Sequence, residues 1–290
     1  MSYLSVTCTN PKEIEELETL GIKEVTVVLK DSAFSSLPSF SFEEIVDINK
    51  KIKAKGMRLC VNMNALFSES EIASKQELML KLLNEGIDYI LFSDFGLLRK
   101  AKEVNKEDHL IYDPVFLLTN SIEAKTINEL NLAYINISSL LTKEEIIDIA
   151  SNINNSSLVI HGHLLMSATK RKLLSEYSYE KRPFMNKKDL LIQEETRDGL
   201  MPVHESDIAT LIYSDFIQES FDEINDFINS GIKRLEIQTQ YLDFEVVKET
   251  IKAYTRVISG EDVNLIKEEY FNKVDSKLLS KGYYGEKSIK

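Results

Sequence analysis

Two histidines at alternate positions are the residues of this chain whose types and spacing could do chemistry most directly. His161 and His163 belong to the stretch LVIHGHLL, which is typical of a β-strand. Side chains two residues apart share one strand face and lie about 7 Å apart along it, so both imidazoles could address one pocket. Three interpretations stay open: a metal site with Asp113 or Glu236 as third ligand, a role in substrate binding or proton transfer, or structural hydrogen bonding.

A basic run follows the histidines. Lys170, Arg171 and Lys172 begin a segment that is compatible with a helix. A helix N-terminus and basic side chains both attract anions, so the run could bind an anionic group. It could equally be a solvated surface.

Eight strand patterns, each paired with a helix pattern, would position these residues. We predict strands at 3–9, 24–30, 58–64, 89–94, 109–113, 134–138, 158–163 and 234–240. We predict helices at 11–20, 42–55, 69–84, 96–104, 121–130, 143–151, 216–229 and 244–259. Eight such units in roughly 260 residues favour an α/β fold of the (β/α)8 TIM-like barrel type over a doubly wound open sheet.

Polar and apolar side chains alternate within the predicted strands. The apolar set must face the outer helices, so the polar set points inward. Because an unpaired buried polar group costs about 1–3 kcal/mol, the interior needs a satisfied network or a polar pocket at its C-terminal mouth. The strand C-termini carry Asn64, Asp94, Asp113, Ser138, His163 and Gln240.

We predict that the chain divides into a barrel at 1–260, which contains the eight units, and an extension at 261–290. Within the barrel, a β-rich insertion at 167–215 follows the seventh strand, with strands expected near 189–195, 201–204 and 211–214. Long excursions after a barrel strand usually carry function, so we expect a lid or a partner surface over the barrel mouth. The extension could pack on the barrel or dock a partner.

The composition limits the classes of partner. The chain has 35 basic and 47 acidic residues and a net charge of −12, which argues against unaided binding to nucleic acid. Cys8 and Cys60 lie in apolar stretches and are expected to be buried thiols. The N-terminus lacks a signal-peptide pattern, and no apolar run approaches about 18 residues, so we expect a cytoplasmic protein without membrane contact.

The segment around His161 resembles the signature of the collagenase-like peptidases of family U32, which include the proteins for prephenate-dependent tRNA hydroxylation. That signature is a strand reading F-x-H-G-A-L-C, then R-C and a serine three residues later. This chain has IHGHLL from Ile160, followed by Arg171, Lys172 and Ser175. The stretches 56–64, 86–98 and 231–240 are similar to further family segments. The stretches 194–202 and 281–284 resemble the acidic insertion and aromatic ending of its short Gram-positive-type members.

The departures from the family decide what the resemblance implies. The two signature cysteines fall on Leu165 and Lys172, and no cysteine follows Cys60. Iron–sulfur clusters need thiolate ligands, so no cluster is expected in this chain. The candidate catalytic residues are His161, His163, Arg171 and Ser175. The candidate substrate-binding residues are Asn64, Asp94, Asp113, Lys172, Glu194, Glu236 and Gln238.

The resemblance implies a part in tRNA wobble-uridine 5-hydroxylation, with prephenate as a possible ligand. Without its own cluster, the chain would be the partner subunit of a cysteine-bearing paralogue and would meet tRNA indirectly. One alternative is a collagenase-like peptidase, a hydrolase, although no triad spacing or H-E-x-x-H motif occurs. Another is a barrel enzyme for a small anionic metabolite, with Arg171 and Lys172 at its rim. Whether this chain is itself catalytic stays open.

Overall fold

Eight parallel strands close into a barrel in the computed structural model, which describes residues 2–114, 118–176, 189–195 and 199–285. The strands in chain order are β1 (Tyr3–Thr7), β2 (Glu24–Leu29), β3 (Ser39–Phe40), β4 (Arg58–Met63), β5 (Tyr89–Phe92), β6 (Leu110–Tyr112), β7 (Tyr134–Ile137), β8 (Ser156–Thr169), β9 (Asp189–Ile192), β10 (Met201–Glu205), β11 (Thr210–Gln218), β12 (Ile232–Ile237) and β13 (Leu279–Ser280). The barrel order is β12–β1–β2–β4–β5–β6–β7–β8, and β8 pairs again with β12. The predicted TIM-like barrel is confirmed.

Helices between the strands cover the outside of the barrel. They are α1 (Ile14–Thr19), α2 (Phe42–Ala54), α3 (Glu69–Asn84), α4 (Phe95–Glu103), α5 (Ser121–Asn128), α6 (Lys143–Ser151), α7 (Ile224–Asn229), α8 (Phe244–Ile258) and α9 (Val263–Phe271). Capping boxes begin three of them, at Ser41, Ser68 and Thr142, and each satisfies free backbone N–H groups of the first turn. Of the helices in the described residues, none has the length and apolar character to cross a membrane.

The helix predicted at 216–229 begins later than expected. Strand β11 continues to Gln218, and α7 begins only at Ile224. The backbone of Ile217 and Gln218 is held on both sides, because these residues pair with β8 and with β13. Tertiary pairing therefore keeps the strand extended where the local sequence favours a helix.

The main core lies between the strands and the helices. Leu59, Val61 and Met63 of β4 are buried there, and Ile135 and Ile137 of β7 join them. This is the apolar strand face that alternation predicts. Burying each such side chain contributes about 1.5–3 kcal/mol to folding, so the outer shell holds the barrel closed.

The insertion forms an antiparallel sheet in which β8 pairs with β11, β11 with β10, and β10 with β9. The β-rich insertion after the seventh barrel strand is therefore confirmed. Leu211 and Tyr213 of β11 pack on Phe34 and Ala65 from loops of the barrel mouth. The sheet is thus anchored at the C-terminal end of the barrel.

Residues 261–285 pack on the rest of the described chain. Tyr270 of α9 and Tyr284 are buried in the main core, at 3% and 4% exposure. Strand β13 pairs in parallel with β11. The extension therefore covers the barrel and the base of the insertion sheet together.

Candidate functional site

A buried ion network fills the centre of the barrel. Arg234 of β12 is fully buried, and its Nε donates to Glu24 at 2.6 Å, while Nη1 donates to Glu236. Nη2 donates to the hydroxyls of Ser5 and Thr26, both at 3.0 Å. Burial opposes the charge, but Glu236 and Glu24 hold the pKa of Arg234 well above its ordinary value. The guanidinium at the centre of the barrel therefore has its donors satisfied by carboxylates and hydroxyls.

Arg234 and Glu24 were not among the predicted interior residues. Arg234 shares a strand face with Glu236 and Gln238, because all three lie at alternate positions of one strand. This alternation was the signal in the sequence that Arg234 faces the barrel interior. An inward arginine then requires an acidic partner on a neighbouring strand, which Glu24 supplies.

A cavity of about 130 Å³ opens above this network at the C-terminal mouth. Its apolar wall includes Leu164 and Leu165 of β8 and Tyr213 of β11. Its polar wall comes from the strand C-termini, namely Asn62, Asn64, Asp113, Asn136, Ser138, Glu236, Gln238 and Gln240. The structure thus brings together four of the predicted substrate-binding residues: Asn64, Asp113, Glu236 and Gln238.

Asp113 is the titratable group of the cavity wall best suited to proton exchange. Asn64 bridges it to the barrel, because Asn64 Nδ2 donates to Asp113 at 2.9 Å and Asn64 Oδ1 accepts from the Phe34 backbone at 3.1 Å. Burial, with the nearby Glu236 carboxylate, raises the pKa of Asp113 to about 6. A carboxyl with such a pKa can donate or accept a proton near neutral pH.

The two histidines have different surroundings, because His161 packs against Tyr254 and Tyr270 whereas His163 packs against Tyr241, so the prediction of one common pocket is wrong. In the pairing of β12 with β8, Glu236 lies opposite Val159 but Ile237 lies opposite His161. Ile160 is therefore an extra residue, which makes a β-bulge. A bulge reverses the alternation of the residues that follow it, and His161 turns away from the interior.

His161 instead lies among aromatic side chains of the outer helices. Its Nε2 is 3.2 Å from the hydroxyl of Tyr270, and its ring packs edge-on against Tyr254. Burial lowers the pKa of His161 to about 3, helped by the nearby His163. The imidazole is therefore neutral and held by its packing.

His163 lies at the junction of the barrel and the insertion sheet. It is buried, and its Nδ1 donates to the Ser214 carbonyl at 2.8 Å. Its ring packs edge-on against Tyr241. Burial lowers its pKa as well, and neither histidine lines the cavity.

The predicted anion site at the basic run is filled by Glu205 of β10. Its carboxylate accepts from the backbone N–H of Leu174 at 2.7 Å and from the Ser175 hydroxyl. This is the place that an exogenous anion would take at a helix start. Arg171 and Lys172 are exposed beside it, and Lys172 lies 3.6 Å from Asp207.

Two other predicted binding residues also lie outside the cavity wall. Asp94 caps α4 by accepting from Gly96 N at 2.8 Å, and it also accepts from Phe67 N at 3.0 Å. Its position at a strand end is explained by this cap. Glu194 is exposed just after β9.

The available donor atoms do not form a metal or cluster site in the described residues. No group of three histidine, cysteine, aspartate or glutamate side chains is placed there to hold a metal ion. Cys8 and Cys60 are buried in different apolar clusters, and Leu165 and Lys172 replace the signature cysteines. The residues present therefore do not fit a thiolate-ligated iron–sulfur cluster.

Comparison with known proteins agrees with this architecture. The tRNA hydroxylation protein P2 of Bacillus subtilis (strain 168) is 22% identical over 285 residues, covering 94% of this chain and 92% of that protein. The structure of the U32 peptidase Mk0906 is similar with a TM-score of 0.54 and 14% identity, over 82% of this chain and 92% of that one. A monomeric dihydrodipicolinate synthase variant shares the barrel with a TM-score of 0.53 and 9% identity, over 93% and 79%.

The family model of peptidase family U32 matches residues 10–290, nearly the whole chain. The match includes every barrel strand after β1 and the whole insertion. The chain therefore belongs to peptidase family U32.

Proposed function

We propose that this chain is a cluster-free partner subunit in prephenate-dependent 5-hydroxylation of the tRNA wobble uridine. The observation that carries the proposal is its similarity to a tRNA hydroxylation protein along 94% of the chain. The replacement of the signature cysteines supports a role as a partner subunit, because a cysteine-bearing paralogue would have to supply the iron–sulfur cluster.

The surface charge supports a subunit that meets tRNA through its partner. The net charge is −12. Lys170 and Lys172 of the basic run lie within ion-pair distance of Glu71 and Asp207. Tight tRNA binding needs several free cations along the phosphate backbone, so the paralogue would provide most of that contact.

The cavity wall suggests that prephenate binds to the paralogue. Prephenate is a dicarboxylate, and the charged side chains of this wall are Asp113 and Glu236. No lysine or arginine of the described residues lines the cavity. Bringing two further carboxylates to this wall would be opposed by like-charge repulsion.

The decisive experiment is mass spectrometry of tRNA nucleosides from a strain that lacks this gene but keeps the paralogue. We expect loss of the nucleosides derived from 5-hydroxyuridine and their return with the intact gene. Affinity purification of the tagged chain should recover the paralogue, and the chain purified alone should contain no iron. Unchanged nucleosides in the deletion strain would refute the proposed role.

The peptidase alternative gains no specific support from the site. The Ser175 hydroxyl donates to Glu205, while His161 and His163 are held by Tyr270 and Ser214. A serine nucleophile is ordinarily activated by an imidazole or amine base, whereas the partner of the Ser175 hydroxyl is a carboxylate whose pKa, despite burial, is lowered by its hydrogen bonds. Cleavage of gelatin by the pure chain, abolished by Ser175→Ala, would revive this alternative.

A further inference from the structure

Two buried carbonyl oxygens in the cavity wall have no hydrogen-bond partner within the protein. They are Asn136 Oδ1 and Gln240 Oε1. Their residues are only 5% and 7% exposed, and both line the cavity. Buried acceptors without a partner are rare in folded proteins because they lose their bonds to water. A ligand that donates hydrogen bonds would satisfy both.

A neighbouring carboxylate fixes the orientation of the Asn136 amide. The Asn136 side chain lowers the pKa of Asp113, which requires its amide nitrogen to face that carboxylate, because only the nitrogen can donate. The Gln240 side chain lies beside the Tyr213 hydroxyl. Rotating the Asn136 amide by half a turn would bring its oxygen against the Asp113 carboxylate, so the oxygen must face the cavity.

The negative charge of the cavity wall favours the same kind of ligand as its unpaired acceptors, namely a positively charged hydrogen-bond donor. Asp113 and Glu236 are the charged side chains that line the described cavity. Arg234 lies beneath them, but it is held between Glu24 and Glu236. The wall therefore presents acceptors and negative charge toward the ligand space.

We propose that this cavity binds a small organic cation whose N–H groups donate hydrogen bonds to the side-chain oxygens of Asn136, Gln240 and Asp113. An amidinium or a primary ammonium group has the required charge and several donors. The volume of about 130 Å³ suits a group near the size of benzene, which fills an engineered cavity of about 150 Å³. This inference needs only the purified chain and stands independently of the proposed role in tRNA modification.

Three ligands of equal size test the charge requirement: acetamidinium, acetamide and acetate. Titration of the full chain at about pH 7.5 would be followed by NMR of the Asn and Gln side-chain amides. Because such small ligands make few contacts, we expect a millimolar dissociation constant for acetamidinium. The dissociation constant of acetamide should be about tenfold higher. Acetate should not bind. Acetate or acetamide binding as tightly as acetamidinium, or no shift with any ligand up to about 100 mM, would overturn the proposal.

Variants and pH locate the binding on this wall. Asp113→Asn keeps the shape of the side chain and should weaken acetamidinium about tenfold while leaving acetamide unchanged. Asp47→Asn removes an exposed carboxylate of α2 and should leave both affinities at their wild-type values. The charged groups that face Asp113 are Glu236 and Arg234. Wild-type affinity of Asp113→Asn for acetamidinium would show that the cation binds elsewhere.

The same titration at about pH 5 provides an independent check. Asp113 is then mostly protonated, so acetamidinium should bind about tenfold more weakly than at neutral pH. Asp113→Asn should lose this pH dependence. Equal pH dependence in the wild type and in Asp113→Asn would exclude Asp113 as the acceptor.

Discussion

The Arg234 guanidinium balances two buried carboxylates, Glu24 and Glu236, in the centre of the barrel. Buried ion pairs of this kind add little net stability over an apolar core. Removing one member is different, because the remaining charges stay buried without a partner. The network is therefore a point at which a single substitution should act strongly.

We predict that Arg234→Met lowers the free energy of unfolding by about 3–5 kcal/mol, measured by urea denaturation. Methionine fills much of the volume but leaves Glu24 and Glu236 unpaired. The matched control is Lys50→Met, which removes an ion pair to Asp47 whose side chains are 71% and 72% exposed. That pair should change the free energy by less than about 1 kcal/mol. A loss in Arg234→Met as small as in the control would contradict this account.

His161 links stability to pH. Its folded pKa is lowered to about 3 from an ordinary value of 6.5, chiefly by burial. Between these values the unfolded chain binds one more proton at this residue than the folded chain. The stability of the fold with respect to this residue is therefore fully present above pH 6.5. As the pH falls below that value, the free energy of unfolding decreases by about 1.4 kcal/mol per pH unit.

We predict that His161→Gln reduces the pH dependence of the free energy of unfolding by about one proton between roughly pH 6 and pH 5. Glutamine can still bond to Tyr270 but does not titrate. Urea denaturation at several pH values measures the slope. His109→Gln, at a partly exposed histidine of the barrel surface, is the matched control. Equal slopes in the two variants would show that His161 is not the group responsible.

At the scale of the elements, the bulge in β8 decides which residues reach the cavity. Gly162 follows His161 with a φ of +127°, and a Cβ atom there would lie 2.5 Å from the Gln238 carbonyl oxygen. Both the backbone conformation and the close approach of β12 therefore require glycine.

We predict that Gly162→Ala destabilises the fold by more than about 2 kcal/mol, with the loss measured by thermal unfolding. The cause is backbone strain together with displacement of Gln238, the residue directly after β12. Gly285→Ala is the matched control, because a Cβ atom there meets nothing within 4 Å. If the two alanine variants unfold at the same temperature, the close contact between β8 and β12 is not a constraint.

The same bulge explains why the sequence could be interpreted correctly for most strands but not for this one. Alternation predicted the buried face of β4 and β7, because their pairing has no register shift. In β8 one extra residue, Ile160, reverses the parity before His161. Nothing in the local composition marks that residue, although the glycine at 162 was a signal of a special backbone.

The cavity residues were predictable to the extent that strand ends meet at one mouth. Asn64, Asp113, Ser138 and Gln240 were found in this way. Asp94 also lies at a strand end, but it caps a helix. Its carboxylate oxygens accept hydrogen bonds from backbone N–H groups of that helix and of Phe67. The unsatisfied oxygen of Asn136 could not be predicted, because it depends on three-dimensional neighbours.

At the scale of the whole molecule, Tyr284 joins three parts of the structure. Its hydroxyl lies 2.8 Å from Gln218 Nε2 at the end of β11 and 2.8 Å from the Ser220 hydroxyl. Its ring packs edge-on against Phe227 of α7, and its carbonyl accepts from Lys143 N of α6 at 3.1 Å. The C-terminal segment therefore ties the insertion sheet to the barrel, which predicts that they unfold together.

We predict that Tyr284→Ala lowers the free energy of unfolding by about 3–5 kcal/mol, as expected for a large buried aromatic side chain. Far-UV circular dichroism and tyrosine fluorescence, in a chain without tryptophan, should report coincident transitions in the wild type and the variant. Leu278→Ala, at a side chain that is 43% exposed, is the matched control and should change the free energy by less than about 1 kcal/mol. If Tyr284→Ala released the C-terminal segment to fast hydrogen exchange while the barrel kept its wild-type transition, the segment would be an independent appendage. Coincident loss would instead make the segment around Tyr284 part of the same cooperative unit as the cavity.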